Sequence, residues 1–243
     1  MSIQIRCFIV IFLASINFSV FAMDFDPYFA DDMILARGHL VKVWGKGVRG
    51  ESANLILSQA GRKLEQVFVA VDATGYWDGV LSAQKAGGPL TLSIESISGG
   101  KKLIKNVFFG DIWLVAGQFN VEQRLEEIPK WYRDVVKNRG KSILLRLYNI
   151  KSEINSGETL TSFVPEKSHW MKADNTIESF KKLRRLPAIA YYFGRDLFGK
   201  INVPVAIMVA ASNDNKVESW TLAETMFDEG QDLPICYREQ AMF

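Results

Sequence analysis

The sequence predicts an antiparallel β-sandwich followed by a parallel α/β region. Three observations carry this expectation. From Asp31 to about Lys105, short β-rich runs alternate with Gly-rich turns. From Asn106 onward, longer apolar runs alternate with helical stretches. Finally, 48% apolar and 23% charged residues in a chain of 243 is a globular composition, sufficient for one large core or two modest ones. Disordered, collagen-like and coiled-coil readings are excluded by the same numbers.

Residues 1–22 read as a secretory signal peptide. Arg6 is their only charge, Cys7 to Val20 is almost wholly apolar, and Val20 and Ala22 offer small residues at the −3 and −1 positions of a cleavage site. The apolar run, about 15 residues, is short of the ~20 that span a bilayer. Cleavage after Ala22 is expected, with export to the periplasm or the extracellular space. Met23 rather than Cys would follow the cut, so no lipoprotein anchor is implied. The mature chain, Met23 to Phe243, would keep Cys236 as its lone thiol and form no intrachain disulfide. It would have no membrane association after signal cleavage.

Residues 23–105 supply the sandwich. Leu40 to Trp44 is a β-rich run stopped by Gly45 and Gly47, and Ala53 to Leu57 is stopped near Gly61. Val67 to Val71 runs into the turn Asp72-Ala73-Thr74-Gly75. Leu90 to Ile94 alternates and ends at Ser98-Gly99-Gly100.

Residues 106–243 change grammar. Val107 to Ala116 is expected to be a strand buried on both faces. A helix should follow, with Asn120 as cap, Gln123 three residues on, and Glu122, Glu126 and Glu127 favouring its positive end. Pro129 breaks it. Trp131 to Asn138 reads as a second short helix, Ile143 to Tyr148 as a strand, and Ile150 to Thr176 as a long polar loop. Pro187 fits the first turn of a helix to about Gly199, with Ala190, Phe193 and Leu197 on one face. Val203 to Ala210 is a third buried strand. Strand, helix, strand, helix, strand implies a right-handed parallel arrangement.

Charge and ligand chemistry narrow the function. Lys+Arg is 29 and Asp+Glu is 27, so no net field favours nucleic acid. The basic run Lys181-Lys182 and Arg184-Arg185 reads as a solvated face before a helix, because no aromatics interleave it. Two cysteines and two histidines, His39 and His169, make no zinc cage, and no metal or cofactor is expected. The oligomeric state has no signal.

In open α/β sheets, sites form beyond the carboxyl ends of the strands. Here those ends are Gly117-Gln118-Phe119-Asn120 and Ala211-Ser212-Asn213-Asp214-Asn215. The segments Asp31-Asp32-Met33-Ile34-Leu35, Val43-Trp44-Gly45, Lys85-Ala86-Gly87-Gly88-Pro89 and Gly110-Asp111-Ile112-Trp113-Leu114 recur in a known order. So do Ala190 to Arg195, Val203-Pro204-Val205 and Glu218-Ser219-Trp220. With them the chain resembles the sialate O-acetylesterase family, secreted SGNH-type carbohydrate esterases. The resemblance covers nearly all of the mature chain to about Met226. It implies an SGNH-hydrolase-like three-layer α/β domain, a carboxylic ester hydrolase activity and an acetylated sugar as partner.

Three departures oppose that activity. The family's nucleophile lies in Gly-Gln-Ser-Asn, and here Phe119 takes the serine position. A phenyl ring has no lone pair to attack an acyl carbon and no proton for a base. The family's Trp-Gly-Gly-Thr, which lines its oxyanion hole, is replaced by Ser212-Asn213-Asp214-Asn215, and Asp214 would set negative charge against a developing oxyanion. No Asp-x-x-His segment occurs, and no His follows His169. The α/β domain is therefore expected to be incomplete and the chain a degenerate, C-terminally truncated member.

No catalytic residue is expected intact. Gly117, Gln118, Asn120 and Ser212 to Asn215 are the degenerate pocket positions. Gln118 and Asn120 either shape a polar pocket or cap the helix. Ser212 is a strand-end polar residue or a displaced nucleophile without a base. His169 packs in its loop or touches sugar. Asp111 resembles the family's Asp but has a structural reading within the strand. Trp77, Trp113, Trp131, Trp170 and Trp220 are core residues or sugar-stacking ones. Three functions follow: a silent relative that binds carbohydrate or protein, an acetylesterase with altered machinery, or a truncated product without a role.

Overall fold

The computed structural model describes residues 23–130, 144–150, 170–173 and 183–211. The helix expected at Trp131 to Asn138, most of the loop expected from Ile150 to Thr176 with His169, Trp220, Ser212 to Asn215 and the signal segment lie outside these residues. Described residues are mostly strand, with few helices, in a mixed sheet.

The chain opens with β1 (Asp24–Phe25), β2 (Ile34–Ala36) and β3 (Val41–Lys46). Next come β4 (Ser52–Gln59), β5 (Arg62–Ala70), β6 (Tyr76–Leu81) and β7 (Gly87–Ser96). Burial alternates along β3, β4 and β6; in β6 only Trp77, Gly79 and Leu81 point inward. Gly45 does not stop its strand, as expected from the sequence, but lies within β3. A Cβ there would sit 2.0 Å from the Asp24 carbonyl oxygen, so the bare backbone lets β1 pair with β3. β1, β3 and β6 form one sheet. It shares a hydrophobic core with β4, β7 and the first part of β8 (Lys101–Gly117), built on Val43, Leu55, Trp77, Leu92 and Phe109.

β8 is the backbone of the molecule. Its first part pairs antiparallel with β7 through Phe109, and Asp111 to Gly117 pairs parallel with β11 (Val205–Ala211). β11 pairs parallel with β9 (Leu145–Ile150), whose outer edge takes the short antiparallel β10 (Met171–Lys172). The boundary expected between residues 105 and 106 therefore falls inside one strand.

The parallel strands are covered by α2 (Ala188–Ile201). Pro187 is the N-cap residue, with an extended ψ of 123°, one position before the first turn in which the sequence places it. Ala190, Tyr191 and Gly194 face β9 and β11, joining Leu145, Leu147, Val205 and Ile207 in a second core. Phe193 is not on that buried face, contrary to the expectation; it is 39% exposed and meets Trp113 edge-on at 5.3 Å.

The expected burial of Val107 to Ala116 on both faces also needs correction. Burial ends at Gly110, and Ile112, Trp113 and Leu114 are exposed. Beyond Gly110, β11 is the only pairing partner of β8 among the described residues.

Arg146 fastens the two regions. Only 4% exposed, it donates from Nε to the Asp32 carbonyl at 3.2 Å and lies over the Phe108 ring. The Asp32 carboxylate in turn pairs with Lys172 at 2.7 Å and accepts from the Asn106 amide.

Candidate functional site

β8, β9 and β11 run parallel, so their carboxyl ends gather on one side. A cleft of about 850 Å³ opens there, the place where open α/β sheets carry ligands. Val209, Ala211, Ile150 and Pro187 supply its apolar surfaces, and residues 119–124, Glu127, Asn149 and Arg185 complete it.

The wall after β8 is built locally. A Cβ on Gly117 would come 2.8 Å from Val121 Cγ2, so the missing side chain lets Val121 tuck against the strand end. The Gln118 carbonyl accepts the N–H of Val121 at 2.8 Å and opens α1 (Phe119–Glu122). Asn120 does not cap it. It is the second residue of the helix, and Gln118 in the capping position makes no side-chain cap bond. The helix is also a single turn rather than the longer one expected. At Gln123 the chain extends, because Arg124 bridges to Pro187, Leu125 N–H donates to the Leu186 carbonyl at 2.8 Å, and Ala188 N–H donates to the Gln123 carbonyl at 2.8 Å. Tertiary pairing overrides the helical pattern. A short 3-10 turn, Leu125–Glu127, follows.

Phe119 is 65% exposed in this cleft. Asn120 and Phe119 line it together, whereas Gly117 and Gln118 are not among its lining residues. Asp111 is remote. At about 3.3 Å per residue along a strand it lies some 20 Å from Gly117. Its carboxylate accepts two bonds from Arg37, at 2.7 and 3.0 Å, and this hydrogen-bonded carboxylate keeps the guanidinium raised above its ordinary value. His39, in the turn after β2, does not line the cleft. Trp77 and Trp170 are core residues, and Trp113 is exposed on β8; none of the three lines the cleft.

The cleft also holds residues that the sequence reading passed over. Asn149 lies at the carboxyl end of β9, a third parallel strand end that the topological rule covers equally. Arg185 belongs to the basic run read as a solvated face. Its neighbour Arg184 pairs with Glu126 at 3.5 Å, while Arg185 has no ion pair among the described residues. Glu127 accepts the Arg124 backbone N–H at 3.2 Å, and Arg124 Nη1 lies 3.9 Å from Glu126. Among the described residues no group of His, Cys, Asp and Glu could hold a metal ion. The described lining offers amides, the carboxylates of Glu122 and Glu127, the guanidinium groups of Arg124 and Arg185 and a phenyl ring, which suit hydrogen bonding and stacking.

No protein-family model matches the chain. Its sequence is similar to the sialate O-acetylesterase of Homo sapiens, 24% identical over 208 residues, covering 83% of this chain and 39% of that protein. The sialate O-acetylesterase of Mus musculus is 22% identical over 188 residues, covering 76% and 34%. The chain is thus similar in sequence to sialate O-acetylesterases. It spans about two fifths of the length of these curated relatives. Its fold is similar to that of a carbohydrate acetylesterase from Xanthomonas citri, with a TM-score of 0.70 and 24% identity, covering 88% of this chain and 46% of that one. The segment Gly117 to Asn120 is where the resemblance to these enzymes expects the nucleophile, and its third residue, Phe119, lines the cleft.

Proposed function

We propose that this chain is an exported, non-hydrolytic relative of the sialate O-acetylesterases that binds carbohydrate in the cleft beyond β8, β9 and β11. The observation that carries the reading is Phe119, standing in the cleft at the nucleophile's position. Loss of a hydrolase nucleophile costs up to ~10⁶ in turnover. Here the hydroxyl is missing, and the expected oxyanion segment carries Asp214. The relatives' names support a sugar as ligand. The antiparallel half is read as a sandwich that supports the α/β region, because its two sheets enclose one core.

The purified mature chain should hydrolyse p-nitrophenyl acetate no faster than buffer, and Phe119→Ser should not restore turnover, since one hydroxyl facing an oxyanion segment that carries Asp214 stays inert. It should bind at least one of N-acetylneuraminic acid, its O-acetylated form, galactose or xylose in a calorimetric titration. Hydrolysis by the native chain, or labelling by a fluorophosphonate probe, would falsify the non-hydrolytic part. Silence toward every sugar would remove the binding part. Export is checked by the N-terminal residue of the protein recovered from periplasm or medium, expected to be Met23.

A further inference from the structure

We propose that Phe119 is itself a ligand-contacting residue, a stacking platform for the apolar face of a sugar ring. This rests on the carbohydrate-binding reading and names the contact that would provide it.

Phe119 is not exposed for want of a core to enter. Two other apolar residues of the same segment, Val121 and Leu125, are 7% and 0% exposed, while Phe119 is 65% exposed. The one-turn helix therefore sends one apolar side chain inward and holds the largest in the cleft. In the same cleft, the side-chain amides of Asn120, Gln123 and Asn149 form no hydrogen bond among the described residues. Each amide offers both donors and an acceptor. A pyranose has a C–H face and a rim of hydroxyls that donate and accept. An exposed phenyl face beside free amides matches both surfaces, as a ligand site with an apolar wall and a few convergent polar groups requires. A protein-docking patch would need contiguous apolar surface. Here the exposed chain neighbours, Gln118, Asn120, Glu122, Gln123 and Arg124, are all polar.

The replacement of the hydroxyl then has a second consequence. Phe119 abolishes attack on an ester and adds a face that holds the sugar, so restoring serine should weaken binding.

Titrating the full chain with N-acetylneuraminic acid and with galactose, by calorimetry and by ligand-observed NMR, tests this. For the sugar that binds, Phe119→Leu, which keeps apolar bulk without a π face, and Phe119→Ser should weaken binding about 3- to 10-fold. Phe119→Trp should bind at least as tightly and report the sugar through a shift in its own emission. Thermal melts of all three should match the parent, because the side chain is exposed. If Leu and Ser variants bind as tightly as the parent, the stacking role fails while carbohydrate binding stands. If the parent binds neither of these sugars, nor the O-acetylated acid or xylose, both fail.

Discussion

A buried hydroxyl with no partner costs about 1–3 kcal/mol of desolvation, and Tyr191 carries one. Its side chain is fully buried between α2 and the parallel strands, and its hydroxyl finds no hydrogen bond among the described residues. Burial pushes the phenol above its ordinary value, against the opposing charge of Arg195, so it stays neutral at physiological pH. Tyr191→Phe keeps the ring and removes the orphan, and the variant should gain about 1 kcal/mol. A urea midpoint that rises at unchanged m-value would show it; a fall would mean the hydroxyl is satisfied. At this scale Phe119 was legible, since a motif position read against a resemblance needs no fold. Arg185 and Asn149 were not. Their place in the cleft depends on which strand ends meet and on which of two adjacent arginines Glu126 takes.

At the scale of elements, local chemistry sets some features and neighbours set others. The turn at Asp72-Ala73-Thr74-Gly75 was readable because its residues make it. The Asp72 carboxylate accepts the Thr74 hydroxyl at 2.6 Å and the N–H groups of Thr74 and Tyr76 at 2.8 and 3.0 Å, and Gly75 takes a positive φ of 85°. The Thr74 hydroxyl bond, then the Tyr76 N–H, hold this carboxyl below its ordinary 3.8. Its stabilisation is therefore complete above that value and is lost as pH falls through the lower folded value. Asp72→Ala should melt below the parent at pH 6, and the gap should close as the pH is taken below 3.8. Gly194 shows the opposite case. Inside a helix, alanine is worth ~1 kcal/mol over glycine. Yet a Cβ at Gly194 would stand 2.4 Å from Leu145 Cδ1 and 3.2 Å from Ile207 Cγ1, both on fully buried residues. Overpacking costs typically ~1–3 kcal/mol, so Gly194→Ala should lower stability in a denaturant melt. The exposed half of β8 was misread for a related reason. Hydrophobicity along one strand does not say whether another element covers it.

Across the whole molecule, β9 and β11 separate two cores and belong to both. Tyr148 and Ala206 lie in the first, while Leu145, Leu147, Val205 and Ile207 lie in the second. β8 adds the covalent link, because Val107, Phe108 and Phe109, all buried in the first core, precede the residues that pair with β11. The change of grammar near residue 105 was visible in the sequence, but a change in pattern is not a break in packing. Burial of these three side chains is worth roughly 1.5–3 kcal/mol each, or about 5–9 in all. That matches much of the 5–15 kcal/mol typical of net stability, so the antiparallel half should not stand without the strand that enters the parallel half. Unfolding is then a single event. In native-state hydrogen exchange followed by mass spectrometry, peptides from β4 and β11 should lose protection together with denaturant. Phe109→Ala should cost about 3–5 kcal/mol in both. Loss of protection in β4 alone would separate the halves at residue 105 and refute the shared strand as the source of cooperativity.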